Sequence, residues 1–157
     1  MTVLGLDHVS VTCADLDRSL AFYAQVLGLE VRERGELAGG SSESITGLAG
    51  LRARFADLEL GNGRTLELLE FLVPSGPPLA PELPRPGATH LALRVDDADA
   101  AFRAIGKAGF TLISRAVTAI DDPGFWQGSR AFYCLDPDGV TVELIERALT
   151  SRSVGSP

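Results

Sequence analysis

Histidine, cysteine and tyrosine are scarce in this chain: two of each among 157 residues, with one tryptophan and one methionine. Cys13 and Cys134 stand far apart, each inside an apolar run with strand character. They read as buried free thiols of a cytosolic protein, with a disulfide as the alternative. No apolar run approaches the length of a membrane span, and the N-terminus lacks a basic-then-apolar secretory pattern, so a cytoplasmic protein without a membrane partner is expected. Positive charge is also short. Lys and Arg total 14 against 21 Asp and Glu, a net charge of −7, which argues against nucleic acid or an anionic membrane as partner. What remains is an ordinary globular balance, 45% hydrophobic and 22% charged, enough for one well-filled domain or two half-domains.

Hydrophobic periodicity divides the chain. Leu4–Cys13 alternates, with Val9, Val11 and Cys13 on one face and His8, Ser10 and Thr12 on the other, as in a strand. Asp15 is placed to cap a helix in which Leu16, Leu20, Tyr23 and Leu27 recur until Gly28. A short strand is expected over Leu29–Arg34, and a mobile loop, a candidate lid with Ser41, Ser42 and Ser44, over Gly35–Leu51. Arg52–Leu60 and Arg64–Val73 flank Gly61-Asn62-Gly63, a hairpin signal. The Pro-rich stretch to Gly87 reads as a stiff connector. Ala88–Val95 is then a strand, Asp97 caps a helix to about Ala108, and Phe110–Ala119 is a strand. A loop carries Trp126, and Ser129–Glu146 forms a hairpin about Asp136-Pro137-Asp138-Gly139.

The second half repeats the first. Thr89–Ala100 (THLALRVDDADA) echoes Asp7–Arg18 (DHVSVTCADLDR), and TVELIE echoes TLELLE. His90 follows His8 by 82 residues and Glu143 follows Glu67 by 76, so the four are two equivalent pairs. The expected architecture is α+β: two βαβββ modules, 1–73 and 88–147, forming a curved mixed sheet, with a linker at 74–87 and a frayed tail at 148–157. Singly, a strand histidine or glutamate is more often a satisfied core or surface residue. Two of each converging in an apolar trough call for a divalent cation, and imidazole with carboxylate suits Zn, Ni, Co, Mn or Fe(II). Glu70 rivals Glu67, but period two puts it on the opposite face from Glu67, Leu69 and Phe71.

These motifs, LDHVSVTCADLDRSLAFYAQVLG, TLELLE, HLALRVDDADA and LDPDGVTVELIE, resemble the vicinal oxygen chelate superfamily over Leu4–Glu146. That superfamily includes glyoxalase I, methylmalonyl-CoA epimerase, extradiol dioxygenases, and bleomycin and fosfomycin resistance proteins. The resemblance implies that His8, Glu67, His90 and Glu143 are metal ligands and that the chain pairs as a homodimer. It further implies lyase or isomerase chemistry on a small oxo or acyl-thioester substrate, through a metal-stabilised enolate. A loosely held carboxylate would carry the proton, Glu143 first and Glu67 second; the alternative is that both glutamates only ligate.

Departures narrow the reading. Thr12 replaces the arginine with which glyoxalase I holds glutathione, and Phe71 replaces an asparagine, so glutathione is not expected. Arg94 shares the face of His90 and could clamp a substrate carboxylate or form a structural salt bridge. The additional epimerase base falls near Arg54, which does not supply it. Tyr133, ten residues before Glu143, fits an Fe(II) extradiol dioxygenase, or an aromatic wall of the trough; that class, however, commonly uses a further histidine and no glutamate at Glu67. A metal-free, antibiotic-binding resistance protein is the third reading, opposed by four occupied ligand positions. Leu69, Phe71 and Trp126 offer apolar surface to a small-molecule substrate, and Phe125 with them, whereas Phe132 is expected to face the helices.

Overall fold

A computed structural model describes residues 1–61, 63–78 and 83–148. The tail beyond 148, the centre of the linker and the tip of the Gly61–Gly63 hairpin lie outside the described residues. The strands β1 (His8–Thr12), β2 (Val31–Ala38), β3 (Arg52–Gly61), β4 (Arg64–Val73), β5 (His90–Val95), β6 (Thr118–Ala119), β7 (Arg130–Leu135) and β8 (Thr141–Glu146) form two four-stranded mixed sheets of the same order, β1-β4-β3-β2 and β5-β8-β7-β6. The chain divides into two compact units, Met1–Pro81 with Asp136–Gly139, and Glu82–Leu135 with Val140–Pro157.

In the first unit β1 (His8–Thr12) runs parallel to β4 (Arg64–Val73), which pairs antiparallel with β3 (Arg52–Gly61) and through it with β2 (Val31–Ala38). Alternation decides the faces. Leu66 and Leu68 are buried, as are Ala56 and Leu58 opposite them, whereas Glu67, Leu69 and Phe71 are half-buried on the other side. Asp15 caps α1 (Leu16–Leu20), its carboxylate accepting from the Arg18 N–H at 2.9 Å. The helix expected to reach Leu27 instead widens into π-helical turns over Ala21–Val26. Phe22 and Tyr23, within these turns, are both fully buried.

The segment expected to be a mobile loop is structured. β2 continues through Ala38, and Gly40–Thr46 forms α2, stopped by Gly47 in the left-handed region. Two features kept it from view. Ser44 and Thr46 return their hydroxyls to carbonyls four residues back, without apolar periodicity. Gly35, which looks like a breaker, lies inside β2 under the Phe55 ring, where a Cβ would come within 2.7 Å of Phe55 Cε1. Gly35→Ala is accordingly expected to destabilise the protein by about 1–3 kcal/mol, read as a lowered urea midpoint.

The Asp136–Gly139 turn packs within the first unit. The Tyr23 hydroxyl donates to the buried Asp136 carboxylate at 3.0 Å, and Arg18 Nη2 donates to Asp138 Oδ1 at 2.6 Å and to the Pro137 carbonyl at 2.9 Å. The Ala14 N–H donates to the other Asp138 oxygen at 3.2 Å. The turn thus binds the start of α1 while closing the later hairpin.

In the second unit β5 (His90–Val95) runs parallel to β8 (Thr141–Glu146), which pairs antiparallel with β7 (Arg130–Leu135). Asp97 caps α3 (Ala98–Lys107), accepting from the Ala100 N–H at 2.8 Å. Phe132 is buried against Phe102 of α3, as its position in the alternation implies. The strand expected over Phe110–Ala119 shrinks to β6 (Thr118–Ala119) and one bridge between Leu112 and Cys134. Ser114 ends it: its hydroxyl accepts the Tyr133 N–H at 2.9 Å, replacing a ladder carbonyl. Both cysteines are buried free thiols. No helix among the described residues is long and apolar enough to cross a membrane.

Candidate functional site

The repeat holds at the level of strand register. His8 lies opposite Thr65, two residues before Glu67, and His90 lies opposite Thr141, two residues before Glu143. Parallel pairing and period two place each histidine and its glutamate on one face of adjacent strands. In the second unit the pair is in contact, with His90 Nε2 3.3 Å from Glu143 Oε2. Two donors held by one zinc-sized ion at about 2.0–2.2 Å and a near-tetrahedral angle stand roughly 3.4 Å apart. That spacing fits a shared cation.

In the first unit His8, Glu67, Asp7, Asp57 and Thr65 line one open pocket. His8 Nδ1 and Asp7 Oδ1 are 2.8 Å apart. With the proton on Nδ1, the Nε2 lone pair is left for a ligand, the usual arrangement of a metal-binding imidazole. The His8 pKa is raised chiefly by the Asp7 hydrogen bond; burial opposes this, while Glu67 and Asp57 add to it. Among the described residues, no three His, Cys, Asp or Glu side chains are grouped so as to hold a metal ion. What the structure brings together is two His–Glu pairs, each within its own unit.

Asp57 is the residue that the sequence reading missed. It pairs with Glu67 across β3 and β4 as Tyr133 pairs with Glu143 across β7 and β8. The signal was available, because Asp57 precedes Glu67 by ten residues, as Tyr133 precedes Glu143. Burial first, then the Glu67 charge, raise the Asp57 pKa, against a lowering by His8. The Tyr133 hydroxyl reaches Glu143 Oε2 at 3.5 Å, and its pKa is raised by burial and then by that carboxylate.

Glu70 takes no part in this face. Its carboxylate accepts from Arg54 Nη1 at 2.9 Å, while Arg54 Nη2 donates to Asp17 at 2.8 Å. The hydrogen bond from Arg54 holds the Asp17 carboxyl below its ordinary range. The same clasp recurs in the second unit, where Arg130 bridges Asp99 at 2.6 Å and Glu146 at 3.4 Å. The second glutamate of each T-x-E-x-x-E is therefore structural, tying a helix start to the sheet. Arg54 is likewise committed, and period two puts it on the face of β3 opposite Asp57, whose neighbours on its own face are Phe55 and Glu59.

Arg94 is exposed on the His90 face and forms no ion pair among the described residues, so the structural salt bridge that its sequence allowed is not seen. Leu69 and Phe71 continue the Glu67 face of β4, half-buried. Trp126 is engaged differently. Its ring meets Phe125 edge-on, and the Arg147 guanidinium lies 4.4 Å from the centroid of each ring.

Comparison with known proteins adds the relatives. The family described as the Glyoxalase/Bleomycin resistance protein/Dioxygenase superfamily matches residues 5–144. A 2-epi-5-epi-valiolone epimerase of Actinomyces sp. is 32% identical over 146 residues, covering 90% of this chain and 79% of that protein. The crystal structure of a glyoxalase family protein from Bacillus cereus superposes with a TM-score of 0.80 at 23% identity, covering 94% of this chain and 96% of that one. The fosfomycin resistance protein FosX of Listeria monocytogenes superposes with a TM-score of 0.60 at 18% identity, covering 94% and 97%. At those identities the two structures speak for the fold.

Proposed function

Because the chain belongs to the Glyoxalase/Bleomycin resistance protein/Dioxygenase superfamily, we propose that it is a divalent-metal-dependent isomerase or lyase that moves a proton at a carbon beside a carbonyl. The observation that carries the proposal is the identical register of the two His–Glu pairs, His8 with Glu67 and His90 with Glu143. The donor set is imidazole and carboxylate without thiolate, which fits Zn, Ni, Co, Mn or Fe(II). When bound, the cation supplies Lewis-acid polarisation of a substrate oxygen, which eases loss of the neighbouring proton.

The remaining work belongs to side chains of this protein. Glu143 or Glu67 takes the proton and returns it to the same or the adjacent carbon. Leu69 and Phe71 shield one flank of the Glu67 half-site from water. Arg94, which has no acidic partner among the described residues, holds a substrate carboxylate in this reading. The Actinomyces relative points to a small polyhydroxylated ketone as substrate class, since epimerisation beside a ketone needs only this proton transfer. A cytoplasmic homodimer completes the reading.

Protein purified without chelators is expected to carry a stoichiometric divalent metal, lost in His8→Ala and Glu67→Ala. In deuterated water it should exchange the proton beside the carbonyl of 2-epi-5-epi-valiolone, read by NMR. A metal-free parent that binds small cationic antibiotics would replace the proposal with a sequestering role. Fe(II)-dependent oxygen uptake with catechols would replace it with ring cleavage.

A further inference from the structure

The two modules carry different residues at one matched position: Asp57 opposite Glu67, Tyr133 opposite Glu143. An ionised aspartate can only accept hydrogen bonds, whereas a tyrosine can donate one. Tyr133 meets both members of its pair. Its hydroxyl stands 3.5 Å from Glu143 Oε2, and its ring meets the His90 ring edge-on at 5.6 Å and 89°. Among the described residues, the side-chain partners of Glu143 are these two.

Tyr133 is itself held with unusual care. The Ser114 hydroxyl accepts its N–H at 2.9 Å, and its carbonyl accepts from the Ile113 N–H at 2.9 Å and the Ser114 N–H at 3.1 Å. The interruption of the expected Phe110–Ala119 strand is therefore centred on this residue. A glutamate has three freely rotating side-chain bonds, and its orientation toward a ligand must be set from outside.

We propose that Tyr133 is a positioning residue, which holds the Glu143 carboxylate and the His90 ring in the orientation that a divalent cation requires, with Ser114 anchoring Tyr133 in turn. This rests on the metal-dependent reading above. It assigns Tyr133 a role distinct from an aromatic wall against the substrate. Partners of metal ligands of this kind are worth about 10–100-fold in metal affinity.

The test needs only metal. Metal-free protein is titrated with Co(II), following heat and visible absorbance. Tyr133→Phe, which keeps the ring against His90, should weaken binding about 10–100-fold and shift the Co(II) spectrum, with the thermal midpoint of the metal-free protein unchanged. Ser114→Ala should shift the spectrum in the same direction. Parental affinity and an unaltered spectrum in Tyr133→Phe would overturn the proposal. Should that variant fail to fold, the parent decides: Zn(II), which has no visible band, must perturb the tyrosine ultraviolet absorbance, and a flat difference spectrum at saturation overturns the proposal. A parent that takes up no Co(II), Zn(II) or Mn(II) instead removes the metal-dependent reading itself.

Discussion

Glu143→Gln is expected to slow proton exchange at the substrate carbon by about 10²–10⁴-fold while the fold is retained. The substitution keeps the length and shape of the side chain. Val142 and Leu144, buried on either side of it, continue to fix β8, and the Tyr133 and Ala92 pairings need only the backbone. What is lost is the charge, and with it the capacity to take up a proton. The amide oxygen still accepts from Tyr133, so the variant is not left with an orphaned hydroxyl. Deuterium wash-in into 2-epi-5-epi-valiolone, measured beside metal content, separates two roles. Loss of exchange with metal retained makes Glu143 the proton carrier. Parental exchange with metal retained would reduce it to a ligand and move the role to Glu67, whose own Gln variant should then show the loss.

The scaffold of this site was legible because it rests on short-range signals. Alternation in TLELLE and TVELIE puts Glu67 and Glu143 on one face and Glu70 and Glu146 on the other, as period two requires. Asp15 and Asp97 cap their helices because an aspartate before an apolar periodic run has few better uses. Where the reading failed, a tertiary partner decided. Nothing local announces that Gly35 belongs inside a strand; only the Phe55 ring across from it does. The Ser114 interruption likewise depends on Tyr133, a residue nineteen positions away, and the Arg54–Asp17–Glu70 clasp on three separate elements. Asp57 is the exception. Its spacing from Glu67 was visible, but without the hairpin register there was no reason to apply to it the ten-residue offset used for Tyr133.

The second large effect is on stability. Phe132→Ala is expected to destabilise the protein by about 3–5 kcal/mol, against a total of about 5–15 kcal/mol for a typical domain. Phe132 is 2% exposed, meets Phe102 of α3 edge-on at 5.1 Å, and pairs with Leu144 across the β7–β8 ladder. Its removal therefore leaves a cavity bordered by a helix and a strand that cannot both close in, the circumstance in which truncation is most damaging. At roughly 2–4 °C per kcal/mol for a chain of this size, the thermal midpoint should fall by about 6–20 °C. Phe132→Leu, which nearly conserves volume, should lose less than about 1.5 kcal/mol. A fall of under 1 kcal/mol in the alanine variant, measured by urea unfolding, would show that α3 is not seated on this ring. Because Tyr133 is the next residue and Glu143 neighbours Leu144, a loosened Phe132 site should also weaken Co(II) binding. That loss should be restored in part by Phe132→Leu, which separates a packing effect transmitted to the His90–Glu143 pair from a direct contribution by Phe132.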